Sequence, residues 1–214
     1  MPELTIAEEV LLVALDDRTG AGRLRLGLDW AVAGAVVVDL VLAGKVTVAD
    51  DDLVTVLDST PTGVAHLDAT LNAVAGGMKI GKVLRRTRRS APDRALDSLI
   101  QKAILRRTTT RLLGVLPTRR YPSQAGAAES EVRARLAETV LNGRPADGRT
   151  AALAGVLYAG RLWRTAIPGG DRKKVKRKLR DISDGQTVSP AVGKAIVRTH
   201  GAIVAMTAAA SSGG

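Results

Sequence analysis

The chain has no cysteine and no phenylalanine, and only two Trp, two Tyr and two His among its 214 residues. Without cysteine there is neither a disulfide nor a thiolate metal site, which fits a reducing cytoplasm. With aromatics at 2% the core has to be aliphatic, and stacking surfaces for single-stranded nucleic acid or RNA are scarce. His66 and His200 are far apart and stand in no metal-ligand spacing, so both read as structural or surface residues. There is no Gly-x-Ser-x-Gly elbow and no cysteine nucleophile, so the chain is expected not to be an enzyme and to need no metal or cofactor. The longest charge-free apolar run, Trp30–Val38, falls far short of the ~20 residues that a membrane-spanning helix requires. The opening residues are acidic, unlike the basic start of a signal peptide.

What the chain does have is charge, divided end from end. Residues 1–70 carry 12 Asp/Glu against 4 Lys/Arg, a net −8, and residues 71–214 carry 28 Lys/Arg against 9 Asp/Glu, a net +19. A domain that concentrates cations in this way draws polyanions, whether nucleic acid or acidic lipid headgroups. Arg outnumbers Lys 23 to 9, a bias typical of GC-rich bacterial genomes.

The pattern predicts a mainly α fold: one compact helical domain over residues 1–210, with a central buried helix, a projecting β-hairpin and a frayed tail at 211–214. Thr5-Ile6-Ala7-Glu8 is a capping box that starts a helix ended by Asp17-Arg18-Thr19-Gly20. Leu28–Ala43 is apolar nearly all round, the mark of a helix buried on most faces. Val46–Val48 and Leu53–Leu57 flank Asp50-Asp51-Asp52 as a short hairpin, the aspartates reading as turn residues rather than a cation site. Helices are expected at His66–Ala75, Lys79–Arg88, Pro92–Ala103 (capped by Ser90), Ala127–Leu141, Arg149–Arg164, Arg172–Ile182 and Pro190–Ala208. A second hairpin is expected from Ile104–Arg107 and Arg111–Leu116, turning at Thr108-Thr109-Thr110. Gly76–Val83 imitates a phosphate-binding P-loop, but Val83 stands where Mg²⁺ needs a hydroxyl and a helix rather than a strand precedes it.

Four basic clusters are candidate binding residues. Arg85, Arg86, Arg88 and Arg89 close one helix. Arg106, Arg107 and Arg111 lie on the second hairpin, together with Leu112 and Leu113, and Arg119-Arg120 follow. Arg172, Lys173, Lys174, Lys176, Arg177, Lys178 and Arg180 crowd one helix whose Val175 and Leu179, four apart, form a thin apolar stripe. A cation near an anionic leaflet contributes about 1 kcal/mol, and a buried leucine about 1.5–3 kcal/mol. Together they would give reversible, salt-sensitive attachment rather than permanent anchoring.

Leu4–Leu12, then Leu15-x-Asp17-Arg18-x-Gly20, resembles the opening of the Golgi phosphoprotein 3 family. The resemblance runs on through Asp39-Leu40-x-Leu42-x-Gly44-Lys45-Val46, Pro61-Thr62-Gly63 with Leu67-Asp68, Lys102–Leu105 and Arg149–Leu153. It implies a single helical domain with a projecting hairpin. Eukaryotic members are peripheral proteins that bind phosphatidylinositol 4-phosphate at the Golgi and act as adaptors for glycosyltransferases. Their headgroup pocket uses one Trp and three Arg, and their hydrophobic hairpin enters the bilayer. In this sequence Arg89 falls on one pocket arginine; Pro92 and Ala33 stand at the other two, and Leu24 or Arg25 at the Trp. Arg85, Arg86 and Arg88 offer further cations beside Arg89.

The expected function is therefore non-enzymatic binding to anionic phospholipid headgroups on the cytoplasmic face of a membrane, by resemblance phosphatidylinositol 4-phosphate or a related phosphoinositide. Protein clients and a homo-oligomer stay open as partners, through a protein-interaction adaptor role. A winged-helix nucleic-acid reading ranks behind, because Asp93 and Asp97 sit on the helix that would enter a groove.

Overall fold

The computed structural model describes residues 3–15, 27–74, 76–112, 116–124, 126–184 and 189–212. α1 (Ile6–Ala14) starts as the capping box dictates. The Thr5 hydroxyl accepts from the Glu8 amide at 3.2 Å, and the Glu8 carboxylate accepts from the Thr5 amide at 2.7 Å. The Asp39 carboxylate accepts from the next free amides, Ile6 at 2.8 Å and Ala7 at 3.1 Å, so none of these buried donors is left unmatched. Asp39 belongs to α2 (Leu28–Leu42), the buried central helix, which packs against α1 and most later helices. The signal expected to end α1, Asp17–Gly20, lies outside the described residues.

β1 (Val46–Val48) and β2 (Leu53–Val56) pair antiparallel, Val46 opposite Val56. After α3 (Ala65–Ala73) the chain turns through Gly76 and Gly77, at φ 85° and 82°, a region that suits glycine. It then lays β3 (Met78–Lys79) against β2. Residue 79 was expected to begin a helix. Lys79 instead pairs in the sheet opposite Leu53 and reaches Asp51 at 2.8 Å, so α4 (Ile80–Thr87) begins one residue later.

α5 (Ala91–Gln101) follows after a three-residue corner. Ser90 was expected to cap it but does not: its hydroxyl donates back to the Thr87 carbonyl at 3.3 Å, and no side chain caps the helix. The second hairpin is shifted relative to expectation. Thr108-Thr109-Thr110 lies inside β4 (Thr108–Leu112), as suits β-branched residues, and β5 (Leu116–Arg120) returns. The two strands form their own sheet, with Leu112 opposite Leu116.

α6 (Ala127–Val140) leads to α7 (Gly148–Ala159), which stops well before Arg164. Arg161 takes a left-handed φ of 58°, and the short α8 (Trp163–Ala166) starts afresh beyond it. α9 (Arg172–Asp184) and α10 (Pro190–Ser212) complete the described fold. α10 runs through Ser211 and Ser212, which were expected to fray; 213–214 lie outside the described residues. Buried side chains from Ile6 to Ile203 form one continuous core, which contains no phenylalanine. α10 seats His200 directly over Gly155 of α7, where a Cβ would lie 2.0 Å from ring Cε1.

Candidate functional site

The α4–α5 corner follows from an amphipathic pattern. Ile80, Val83, Leu84 and Thr87 face the core, so the remaining positions of α4 point outward. Arg85, Arg86 and Arg89 are exposed, and Arg88 is half-buried with its guanidinium over Trp30, 4.8 Å from the ring centre. None of the four arginines has a carboxylate partner among the described residues. Ala33 and Pro92, at the positions of two pocket arginines in the resemblance, are both buried, while Leu24 and Arg25 lie outside the described residues.

The base of the second hairpin is fixed by Ile104, Leu105 and Tyr121, all buried, with Leu105 bridged to Ser123. Arg106 and Arg107 are exposed there, and Arg107 is ion-paired with Asp97 of α5. Backbone pairing sets Arg111 opposite Pro117. The side chains of Arg111, Leu112 and Arg119 and the whole of Leu113 lie outside the described residues.

α9 presents the densest charge. The Asp171 carboxylate accepts from the Lys173 and Lys174 amides at 2.8 and 3.0 Å, and these bonds hold its pKa below the ordinary carboxylate value. Val175 and Leu179 are buried, pinning the helix to the core as their spacing predicts. Arg172, Lys173, Lys174, Lys176, Arg177 and Arg180 are exposed, and Lys178 is half-buried. Lys176 lies over Trp163, 5.1 Å from the ring centre, and Trp163 packs beside Tyr158 at 6.5 Å between centroids. α9 rests on α6, α7 and α8, whereas α4 rests on α2, α3 and α10. The basic clusters are thus held by separate parts of the scaffold.

The role of the tryptophans was not legible beforehand. Each of the chain's two Trp sits under a cation from a basic cluster. Their rarity was the available signal, since a chain with so few rings has few places to put a cation on one. The acidic N-terminal part also hides an unforeseen knot. Glu9 is buried between Arg135 at 2.8 Å and Arg149 at 3.1 Å, and Arg149 also donates to the Leu4 carbonyl. Glu8 is buried too, and takes Lys102 at 2.8 Å and Ser98 at 2.7 Å. Much of the negative charge near the start of the chain is therefore spent inside the protein. Among the described residues no helix is long and apolar enough to cross a membrane, and no group of acids and histidines is arranged to hold a metal.

Comparison with known proteins adds a frame for this geometry. Residues 6–199 match the family model described as Golgi phosphoprotein 3 (GPP34). The chain is also 30% identical over 135 residues to a protein of Eremothecium gossypii described as vacuolar protein sorting-associated protein 74. That match covers 49% of this chain and 40% of the relative, so the chain spans less than half of the relative's length.

Proposed function

Because the chain belongs to the Golgi phosphoprotein 3 (GPP34) family, we propose that it is a peripheral, non-enzymatic membrane protein that docks on anionic phospholipid headgroups from the cytoplasmic side. The observation that carries this reading is α9. Its six exposed cations crowd a helix held to the core by only a narrow apolar stripe. At about 1 kcal/mol per cation that reaches an anionic leaflet, three of them supply about 3 kcal/mol, enough for weak, reversible attachment. The arginines at the α4–α5 corner, which have no carboxylate partner among the described residues, add a second contact, with Arg89 as the headgroup ligand and Arg85, Arg86 and Arg88 around it. Phosphatidylinositol 4-phosphate or a related phosphoinositide is the proposed headgroup. The tip of the β4–β5 hairpin, with Arg111, Leu112 and Leu113, is the proposed point of insertion.

α5 bears exposed Asp93 and Asp97, and Asp97 already holds Arg107. That helix is a poor groove reader, so the nucleic-acid reading is not carried forward.

Flotation with vesicles carrying phosphatidylinositol 4-phosphate tests the two contacts separately. Loss of binding in Arg89→Ala alone identifies a headgroup site, and loss in the Leu112→Ser/Leu113→Ser double variant alone identifies insertion. Undiminished binding in both overturns the assignment of these residues.

A further inference from the structure

A cleft of about 180 Å³ opens between α3, the end of α4 and the start of α5. Two exposed guanidiniums, Arg86 and Arg94, line it, and neither has a carboxylate partner among the described residues. The Thr87 and Ser90 hydroxyls line it too but donate to the Val83 and Thr87 carbonyls, while the N-terminus of α5, with Asp93 in its first turn, brings the positive end of a helix dipole. The lining residue that sets the cleft apart is His66, which is fully buried.

His66 Nε2 lies 3.0 Å from Thr5 Oγ1, while its Nδ1 has no hydrogen-bond partner among the described residues. Thr5 Oγ1 already accepts from the Glu8 amide at 3.2 Å, so its own proton is free to go to His66 Nε2. With that hydroxyl as the donor, the neutral ring carries its proton on Nδ1, a buried donor with no acceptor among the described residues. Such donors are rare because burial strips them of water without replacement. Two unpaired guanidiniums, a bare helix start and an unmatched N–H around one small cleft all call for the same ligand, a compact group rich in acceptor oxygens. The cleft has room for a tetrahedral oxyanion and some accompanying water, a single water taking about 30 Å³ in the liquid.

The geometry points to this cleft as a binding site for a phosphate monoester dianion, gripped by Arg86 and Arg94 at the start of α5 with His66 at its buried end. The site goes beyond the membrane-docking reading: it shares Arg86 with the proposed docking corner but rests on Arg94 and His66, which that reading does not use. The monoester is either borne on a lipid headgroup or free in solution.

The full chain, labelled with ¹⁵N-histidine, gives a direct readout because it has only two histidines to resolve. Titration with inorganic phosphate at one fixed pH is expected to shift the His66 Nδ1 resonance to saturation and leave His200 unmoved. Arg86→Ala and Arg94→Ala, both surface changes, are each expected to weaken phosphate by roughly tenfold or more, the scale of one charge-assisted hydrogen bond. Arg144→Ala, an exposed residue that does not line the cleft, is expected to leave it unchanged. No saturating His66 shift at tens of millimolar phosphate, or a shift indifferent to both arginine variants, overturns the site. Vesicles then distinguish the source. Selective loss by Arg94→Ala on phosphatidic acid, but not on the phosphodiester phosphatidylglycerol, assigns a lipid monoester. Unchanged flotation on both, with phosphate affinity lost, assigns a soluble one.

Discussion

The guanidinium of Arg88 lies over the ring of Trp30, 4.8 Å from its centre, and fastens the arginine-rich end of α4 to the central helix. The pair orients the corner that carries Arg85, Arg86 and Arg89. A cation over an indole contributes about 0.5–1 kcal/mol at a partly exposed site. Trp30→Leu is therefore expected to keep the helical circular dichroism and to weaken flotation on acidic vesicles roughly two- to fivefold. Binding equal to wild type would show that the pair does not position the corner.

The cations of α9 are separable from its folding, because Val175 and Leu179 hold the helix while the charges face outward. Replacing Lys173, Lys174 and Arg177 with Gln is expected to leave the melting temperature within a few degrees. The same change is expected to weaken vesicle binding by up to about a hundredfold, at about 1 kcal/mol per cation. A triple variant that binds undiminished would remove α9 from the docking surface.

The seat of His200 against Gly155 predicts a steep cost for a single methyl. A Cβ at residue 155 would lie 2.0 Å from Cε1 of a ring that is itself buried, so the ring or a whole helix has to move. Gly155→Ala is expected to destabilise the fold by about 2–3 kcal/mol in chemical denaturation. Gly201→Ala, with no atom near its added Cβ, is expected to be close to neutral.

Buried groups pull stability in opposite directions as pH changes. Burial depresses the His200 pKa to about 4, against an ordinary 6.5. The unfolded chain therefore takes up its proton first, and the His200 contribution, fully present above 6.5, is lost as pH falls toward 4. That loss is on the order of 3 kcal/mol. Burial raises the Asp39 pKa from 3.8 to about 7, despite the opposing Ile6 and Ala7 amides and the nearby Arg149. For this acid the folded chain holds the proton first, so stability is gained as pH falls from 7 toward 4. His200 and Asp39 oppose each other between pH 4 and 6.5, and His66, whose pKa burial also lowers, adds to the loss as pH falls below 6.5. Asp58, Asp68 and Asp147, whose pKa values are lowered, contribute above 3.8 and lose that contribution only at lower pH. Melting temperatures are thus expected to fall more steeply between pH 7 and 5 in Asp39→Asn than in the wild type. A parallel response in both proteins would contradict the Asp39 assignment.

Local rules carried most of the fold. The capping box at Thr5–Glu8, the nearly all-apolar stretch that became α2 and the Val175/Leu179 stripe each encode their element within a few residues, and each lies where expected. The departures arise where distant partners decide. Met78–Lys79 becomes a strand because β2 offers it an edge. Ser90 fails as a cap because its own backbone is already helical, at φ −96° and ψ −29°, rather than extended as a cap requires. The helix expected to reach Arg164 breaks at Arg161, where the chain turns to seat Leu162 and Ala166 in the core. Among candidate site residues, the exposure of Arg85, Arg86, Arg89 and the α9 cations followed from periodicity. The pairing of Arg88 with Trp30, and the meeting of His66 with Arg86 and Arg94 around one cleft, depend on how α2 and α3 pack on the corner, which no spacing along the chain encodes.

The most direct measurement is the fraction of full-length chain that floats with vesicles as anionic lipid is raised from zero in an otherwise neutral bilayer, at low and at high salt. Docking through these cations predicts negligible binding to the neutral bilayer, a steep rise with anionic content and collapse of that rise in high salt. Equal flotation on neutral and acidic vesicles, or none on either, would contradict it.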